Sequence, residues 1–192
     1  MATRGAYGFR VDGVDKVTYN HHDSYPEWLG ERVVAWVRVT PREEIEKIAR
    51  GIVLVSPDSV PTAAQVEECR EWVDLSVSEQ TFYDWYCLLR RAQGDLSAYQ
   101  RGLRYMTDDH EFLADSLFCE WAYIINLDEG VLEVYRGFQK RWDPNPRNRY
   151  RSLPARGRYY PVALVAEFPL DGIPADWVDR VKQAVAALRS GH

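Results

Sequence analysis

Cysteine is scarce in this chain. Cys69, Cys87 and Cys119 are the only three among 192 residues. Their odd number and wide spacing exclude a disulfide frame and a zinc ligand set, and they read as reduced thiols. Cys87, beside Leu88 and Leu89, reads as core packing. Long apolar runs are also missing: nothing approaches the roughly 20 residues of a membrane span. The first thirty residues are polar and charged, so no signal peptide is expected. These absences predict a cytoplasmic protein with no membrane role. There is no internal repeat, no low-complexity tract and no marked domain boundary, which predicts a single domain over 1–192. A net charge of -5 argues against general coating of nucleic acid or membrane.

What is present is an ordinary globular composition, 46% apolar and 28% charged, in a chain long enough to bury a core. Seven Trp and twelve Tyr exceed ordinary usage. They read as an aromatic-rich core or as stacking and interface surface.

Punctuation divides the chain into an α+β pattern. Ala6 to Val11 and Lys16 to Asn20 read as strands joined at Asp12-Gly13. Pro26 opens a helix with Leu29, Val33, Trp36 and Val37 on its buried stripe. Thr40-Pro41-Arg42-Glu43 reads as a capping box for a helix stopping near Gly51, and Thr62 to Gln65 as another. Ser76 begins the strongest helical pattern, with Phe82, Trp85, Tyr86 and Leu89 on one face before Gly94. Asp95 caps a short helix. Trp121 to Leu127, Val131 to Arg136 and Tyr160 to Phe168 read as strands, the second alternating inward apolar with polar positions. Ala175 to Arg189 closes the chain as an amphipathic helix with Val178, Val181, Val185 and Leu188 inward. The predicted fold is a mostly antiparallel sheet, from the N-terminal hairpin and the strands after residue 120, covered by helices. Its most specific version is a stacked αββα arrangement.

The hairpin brings Thr3-Arg4 and Asn20-His21-His22-Asp23 to one end, within side-chain reach of each other. Thr3, Arg4, Tyr19, His22, Asp23, Tyr25, Pro26 and Gly30 carry a resemblance to a family of small uncharacterised bacteriophage-type proteins. Asn20-x-x-Asp23 on a second hairpin strand also resembles N-terminal-nucleophile hydrolases. In that mechanism residue one attacks a carbonyl and its own α-amine is the base. Removal of Met1 would leave Ala2, which has no nucleophilic atom.

Two readings of this cluster follow. In one it is a binding surface that includes Tyr25. In the other it hydrolyses an amide or related bond, with Thr3 or a water as nucleophile, His22 as base beside Asp23, and Arg4 or Asn20 stabilising developing charge. The plainer account is that Asp23 and Ser24 cap the helix that follows. Adjacent residues on a strand point to opposite faces, so His21, His22 and Asp23 cannot all ligate one metal, and His110 and His192 are isolated. No metal and no cofactor is expected.

The second candidate surface is a Pro-containing basic loop at about 137–158. From Arg136 to Arg158 eight basic residues face one acid, Asp143, a local charge of +7 that leaves -12 on the rest. Arg141, Arg147, Arg149 and Arg151, interleaved with Trp142 and Tyr150, suit capture of an anionic ligand, nucleic acid included. Alternatively the loop pairs with the chain's own acids Asp108, Asp109, Glu111, Asp115 and Glu120. The function expected is that of a small phage-type accessory protein, non-catalytic, binding a host protein or a polyanion. The hydrolase is the alternative.

Overall fold

The computed structural model describes residues 2–191; Met1 and His192 lie outside the described residues. Strands β1 (Gly5–Val11) and β2 (Val14–Asn20) form the expected hairpin. Asp12 and Gly13 take left-handed φ values of 51° and 75°, the geometry whose twist matches the flanking strands. The Asp128 carboxylate fixes that turn by accepting from the Asp12 and Gly13 amides at 2.8 and 2.9 Å.

On its other side β1 pairs in parallel with β5 (Trp121–Asn126), and β6 (Val131–Arg136) and β7 (Ala163–Pro169) continue antiparallel. The order is β2-β1-β5-β6-β7. This is the mostly antiparallel α+β sheet expected, with one parallel junction where the chain returns after its helices. Among the described residues no second stacked sheet forms. β3 (Val53–Val55) and β4 (Tyr105–Thr107) form only a two-stranded parallel pair. It lies beside the β2 edge, where the Asp109 amide donates to the Val17 carbonyl at 2.9 Å and the Asp109 carboxylate accepts from the Tyr19 amide at 3.0 Å.

Helices cover one face. A π-helical turn, Pro26–Gly30, runs into α1 (Glu31–Val39), followed by α2 (Arg42–Gly51). Leu29, Val33, Trp36 and Val37 are buried as predicted, with Tyr7, Phe9, Tyr123 and Ile125 of the sheet in the same core. Burial contributes roughly 1.5–3 kcal/mol for each large side chain. Gly30 is required here, because a Cβ would lie 2.6 Å from the Trp177 ring and 2.9 Å from Tyr123. α3 (Ala63–Cys69) begins with the Thr62–Gln65 capping box.

Other local expectations are corrected. Thr40 does not cap α2; its hydroxyl donates back to the Trp36 carbonyl at 2.6 Å and closes α1. The long helix from Ser76 is absent, and only α4 (Trp85–Leu88) forms, followed by a 3-10 turn at Arg90–Ala92. Asp74 accepts from the Ser76 amide and hydroxyl, Asp84 accepts from the Tyr86 amide, and Ser78 and Gln80 take left-handed φ. Such local side-chain bonds compete with the helix. α5 (Ser97–Gln100) is the short helix after Asp95. In α6 (Trp177–Ser190) the buried stripe is Trp177, Val181 and Val185, with Leu188 left 38% exposed.

The other face of the sheet carries Ala6, Val17, Ala122, Ile124 and Tyr135, packed with Leu113, Tyr150, Val162 and Leu164. The polar position Glu133, expected outward, is 1% exposed. Its carboxylate accepts from Asn126 Nδ2 (2.8 Å), the Tyr135 hydroxyl (3.0 Å), and Arg149 Nε and Nη2 (3.0 and 2.7 Å). Arg149 Nη1 reaches Asp15 at 2.6 Å, the Tyr150 hydroxyl donates to the same Asp15 oxygen at 3.0 Å, and Arg10 closes on Asp15 at 2.9 Å. The basic loop is therefore pinned to the sheet by a carboxylate that water does not reach.

Removing one partner of such a buried pair leaves an uncompensated charge. Arg149→Met is expected to lower stability by about 3 kcal/mol or more, read as a shift in urea midpoint. Arg147→Ala, whose ion pairs are open to solvent, should move the midpoint far less. Equal effects would show that the loop is not anchored through Arg149.

Candidate functional site

The structure divides the predicted N-terminal cluster. Asn20, His22 and Asp23 line one recess of about 250 Å3. Thr3 and Arg4 do not. Thr3 is buried, and its carbonyl accepts from the Ser24 amide at 3.1 Å. Arg4, one residue on, turns to the opposite face of the strand, where its guanidinium lies 5.3 Å from the Phe118 ring and its buried Nε has no hydrogen-bond partner. Period-two alternation along the strand separates them.

Neither Asp23 nor Ser24 caps the following turn. The cap position is Tyr25, without a side-chain bond, and the Ser24 hydroxyl accepts from Asn20 Nδ2 at 2.9 Å. Tyr25 is 42% exposed beside the recess rather than lining it. Its carbonyl accepts from the Trp28 and Gly30 amides.

Arg32, Arg90 and Gly94 complete the recess, with Trp28, Leu29 and Gln93 as its walls. Its floor is held by polar bonds from the hairpin. The Tyr7 hydroxyl accepts from the Gly94 amide at 2.8 Å, and the His21 amide donates to Gln93 Oε1 at 2.7 Å. Burial pushes the Tyr7 phenol well above its ordinary value, so it stays neutral. Gly94 has φ 78°, and a Cβ there would meet Asn20 Oδ1 at 2.9 Å and Arg32 Nη1 at 3.7 Å. Only glycine keeps this floor open without strain.

The two guanidiniums set the electrostatics. Arg10, Arg50, Arg104, Arg147 and Arg149 all hold ion pairs. Arg32 and Arg90 form no hydrogen bond through the guanidinium and no ion pair among the described residues. Arg90 leans on the Tyr86 ring at 6.0 Å. The carboxylate lining the recess is Asp23, which is exposed and also unpaired among the described residues. Two unpaired positive groups against one acid make an anion-attracting concavity.

The basic loop is largely turned inward. Arg147 pairs with Glu129 and Glu167, both at 2.6 Å, and Arg149 with Glu133 and Asp15. Tyr150 is buried, at 3% exposure. Arg151 donates to the Pro144 carbonyl at 3.0 Å and stacks 5.3 Å from the Trp142 ring, whose indole donates to the Arg151 carbonyl. Pairing with the chain's own acids is thus what forms, but with different acids from those expected. Among the described residues, Arg156–Glu111 at 3.4 Å matches as an ion pair, and Arg136 donates to the Glu120 backbone carbonyl at 2.7 Å. Arg141 and Trp142 lie in a groove against the end of α6. There Phe138 is held at φ 58°, a strained value for a bulky residue, by its amide bond to the Ser116 carbonyl at 2.6 Å.

Comparisons with protein-family models, with curated proteins and with solved structures return no match. Among the described residues no helix is long and apolar enough to cross a membrane.

Sequence reading missed Arg32, Arg90 and Gly94. The two arginines lie within predicted helices and carry no motif, and Gly94 reads as a helix stop. One signal was available: neither arginine has an acid three or four residues away to pair with.

His21 packs against the His22 ring, and its Nδ1 shares a hydrogen bond with the Tyr19 hydroxyl at 2.7 Å. Burial first, then His22, Arg4 and Arg90, hold its pKa below the ordinary 6.5. The unfolded chain takes up this proton more readily than the fold. Stability from this group is therefore undiminished above pH 6.5 and falls as pH drops through that value. Urea midpoints from about pH 7 to 5 should decline less in His21→Gln than in the parent. An unchanged slope would contradict the burial of a neutral imidazole.

Proposed function

We propose that the protein is a non-catalytic binding protein that captures an anionic ligand, through a phosphate or carboxylate group, in the recess at the end of the hairpin. This keeps the phage-type accessory role and moves the ligand from the basic loop to the recess. The observation that carries it is that Arg32 and Arg90 line one recess with Gly94, with no carboxylate bonded to either among the described residues. Guanidinium donors are suited to oxyanions, and a fixed floor lowers the cost of ordering them. The amide-hydrolase alternative loses Thr3 as its nucleophile and Arg4 as its charge stabiliser, because neither lines the recess; a version with water as nucleophile keeps only Asn20, His22 and Asp23 there.

Calorimetry with inorganic phosphate at low salt tests this. Arg32→Ala and Arg90→Ala should each weaken binding by roughly tenfold or more, the loss expected for a charge-assisted hydrogen bond. Arg147→Ala and Thr3→Val should bind as the parent does. If the arginine variants bind phosphate as tightly as the parent, or the parent binds none, the proposal fails.

A further inference from the structure

The geometry points to a nucleotide-type ligand: a phosphate carried on ribose with a planar base attached. This rests on the anion-binding reading above and adds two residues to it.

The first is Trp28. It is 62% exposed at the wall of the recess, four residues before Arg32. Its indole N–H makes no hydrogen bond, and its ring has no aromatic or cationic neighbour among the described residues. Its backbone is nevertheless fixed. The Trp28 amide donates to the Tyr25 carbonyl at 3.0 Å, the Leu29 amide donates to the Asp23 carbonyl at 3.2 Å, and Glu27 ties the turn to Lys182 of α6. A rigidly mounted, uncovered indole beside unpaired guanidiniums is a stacking plane next to a phosphate site.

The second is Asp23. Beside a bare oxyanion its carboxylate is repulsive, and it makes no bond that would explain its position. A ribose hydroxyl reverses the sign, because an ionised carboxylate is an acceptor for hydroxyl protons and is the group that holds ribose in other nucleotide sites. One ligand then satisfies all three elements: phosphate on Arg32 and Arg90, ribose on Asp23, base on Trp28. A free mononucleotide and the phosphorylated end of a single-stranded RNA present the same chemistry.

The test compares inorganic phosphate, ribose 5-phosphate and AMP by calorimetry, with Trp28 emission as a second readout. Affinity should rise in that order, AMP exceeding ribose 5-phosphate by roughly tenfold, the scale of one base–aromatic stack. Trp28→Ala should erase the step from ribose 5-phosphate to AMP, and Trp28→Phe should restore most of it. Asp23→Asn, which tolerates the left-handed backbone, should tighten inorganic phosphate while shrinking the gain from ribose. A short RNA that binds only with a 5′-phosphate identifies a strand end as the source. AMP binding without RNA binding identifies the free nucleotide. Equal affinity for all three small probes, or Asp23→Asn moving them all in the same direction by the same factor, overturns the nucleotide inference and leaves the anion site standing. Failure of all three to bind overturns both.

Discussion

A carboxylate in the middle of a sheet face decides how this molecule distributes its charge. Glu133 is 1% exposed and accepts four hydrogen bonds, two of them from Arg149. Desolvating such a group is costly unless a cation comes with it. The cation that reaches Glu133 is Arg149 of the long segment between β6 and β7, while Arg10 of β1 pairs with the neighbouring Asp15. The segment therefore folds down as a layer, with Tyr150, Val162 and Leu164 completing the second core. The other face needs no buried charge: its Tyr7 and Tyr123 hydroxyls are satisfied by backbone groups, and the rest of the contact is apolar.

The same constraint separates positive charge that holds the fold from positive charge open to a ligand. In sequence the +7 stretch looks like the natural anion surface, yet its central arginines are neutralised by Asp15, Glu129, Glu133 and Glu167. The arginines near the hairpin end look scattered along two predicted helices, and they remain unneutralised around a floor that glycine keeps open. Local net charge is thus a poor guide to binding when the compensating acids are distant in sequence. The proposed ligand site follows from where no acid pairs with the arginines among the described residues.

How much was legible follows from how local each signal is. The Asp12-Gly13 hairpin, the Leu29–Val37 stripe and the Thr62 capping box are short-range patterns, and all formed. The Ser76–Leu89 helix had the right periodicity, but Asp74, Ser78 and Asp84 hold the backbone in turns instead. The burial of Glu133 and the partners of Arg147 depend on pairings across the sheet that no window of sequence contains. Proximity of Thr3-Arg4 to Asn20-His22 was legible from the hairpin. That alternation sends Arg4 to the far face was equally available from the pleat, and separates it from the recess.

The most direct test of this separation of charge is an amide chemical-shift titration with inorganic phosphate at low salt. The largest shifts are expected at His22, Arg32, Gln93 and Gly94, with Arg147 to Arg151 unmoved. Shifts centred on Arg147 to Arg151, with Gly94 and Arg32 silent, would contradict it.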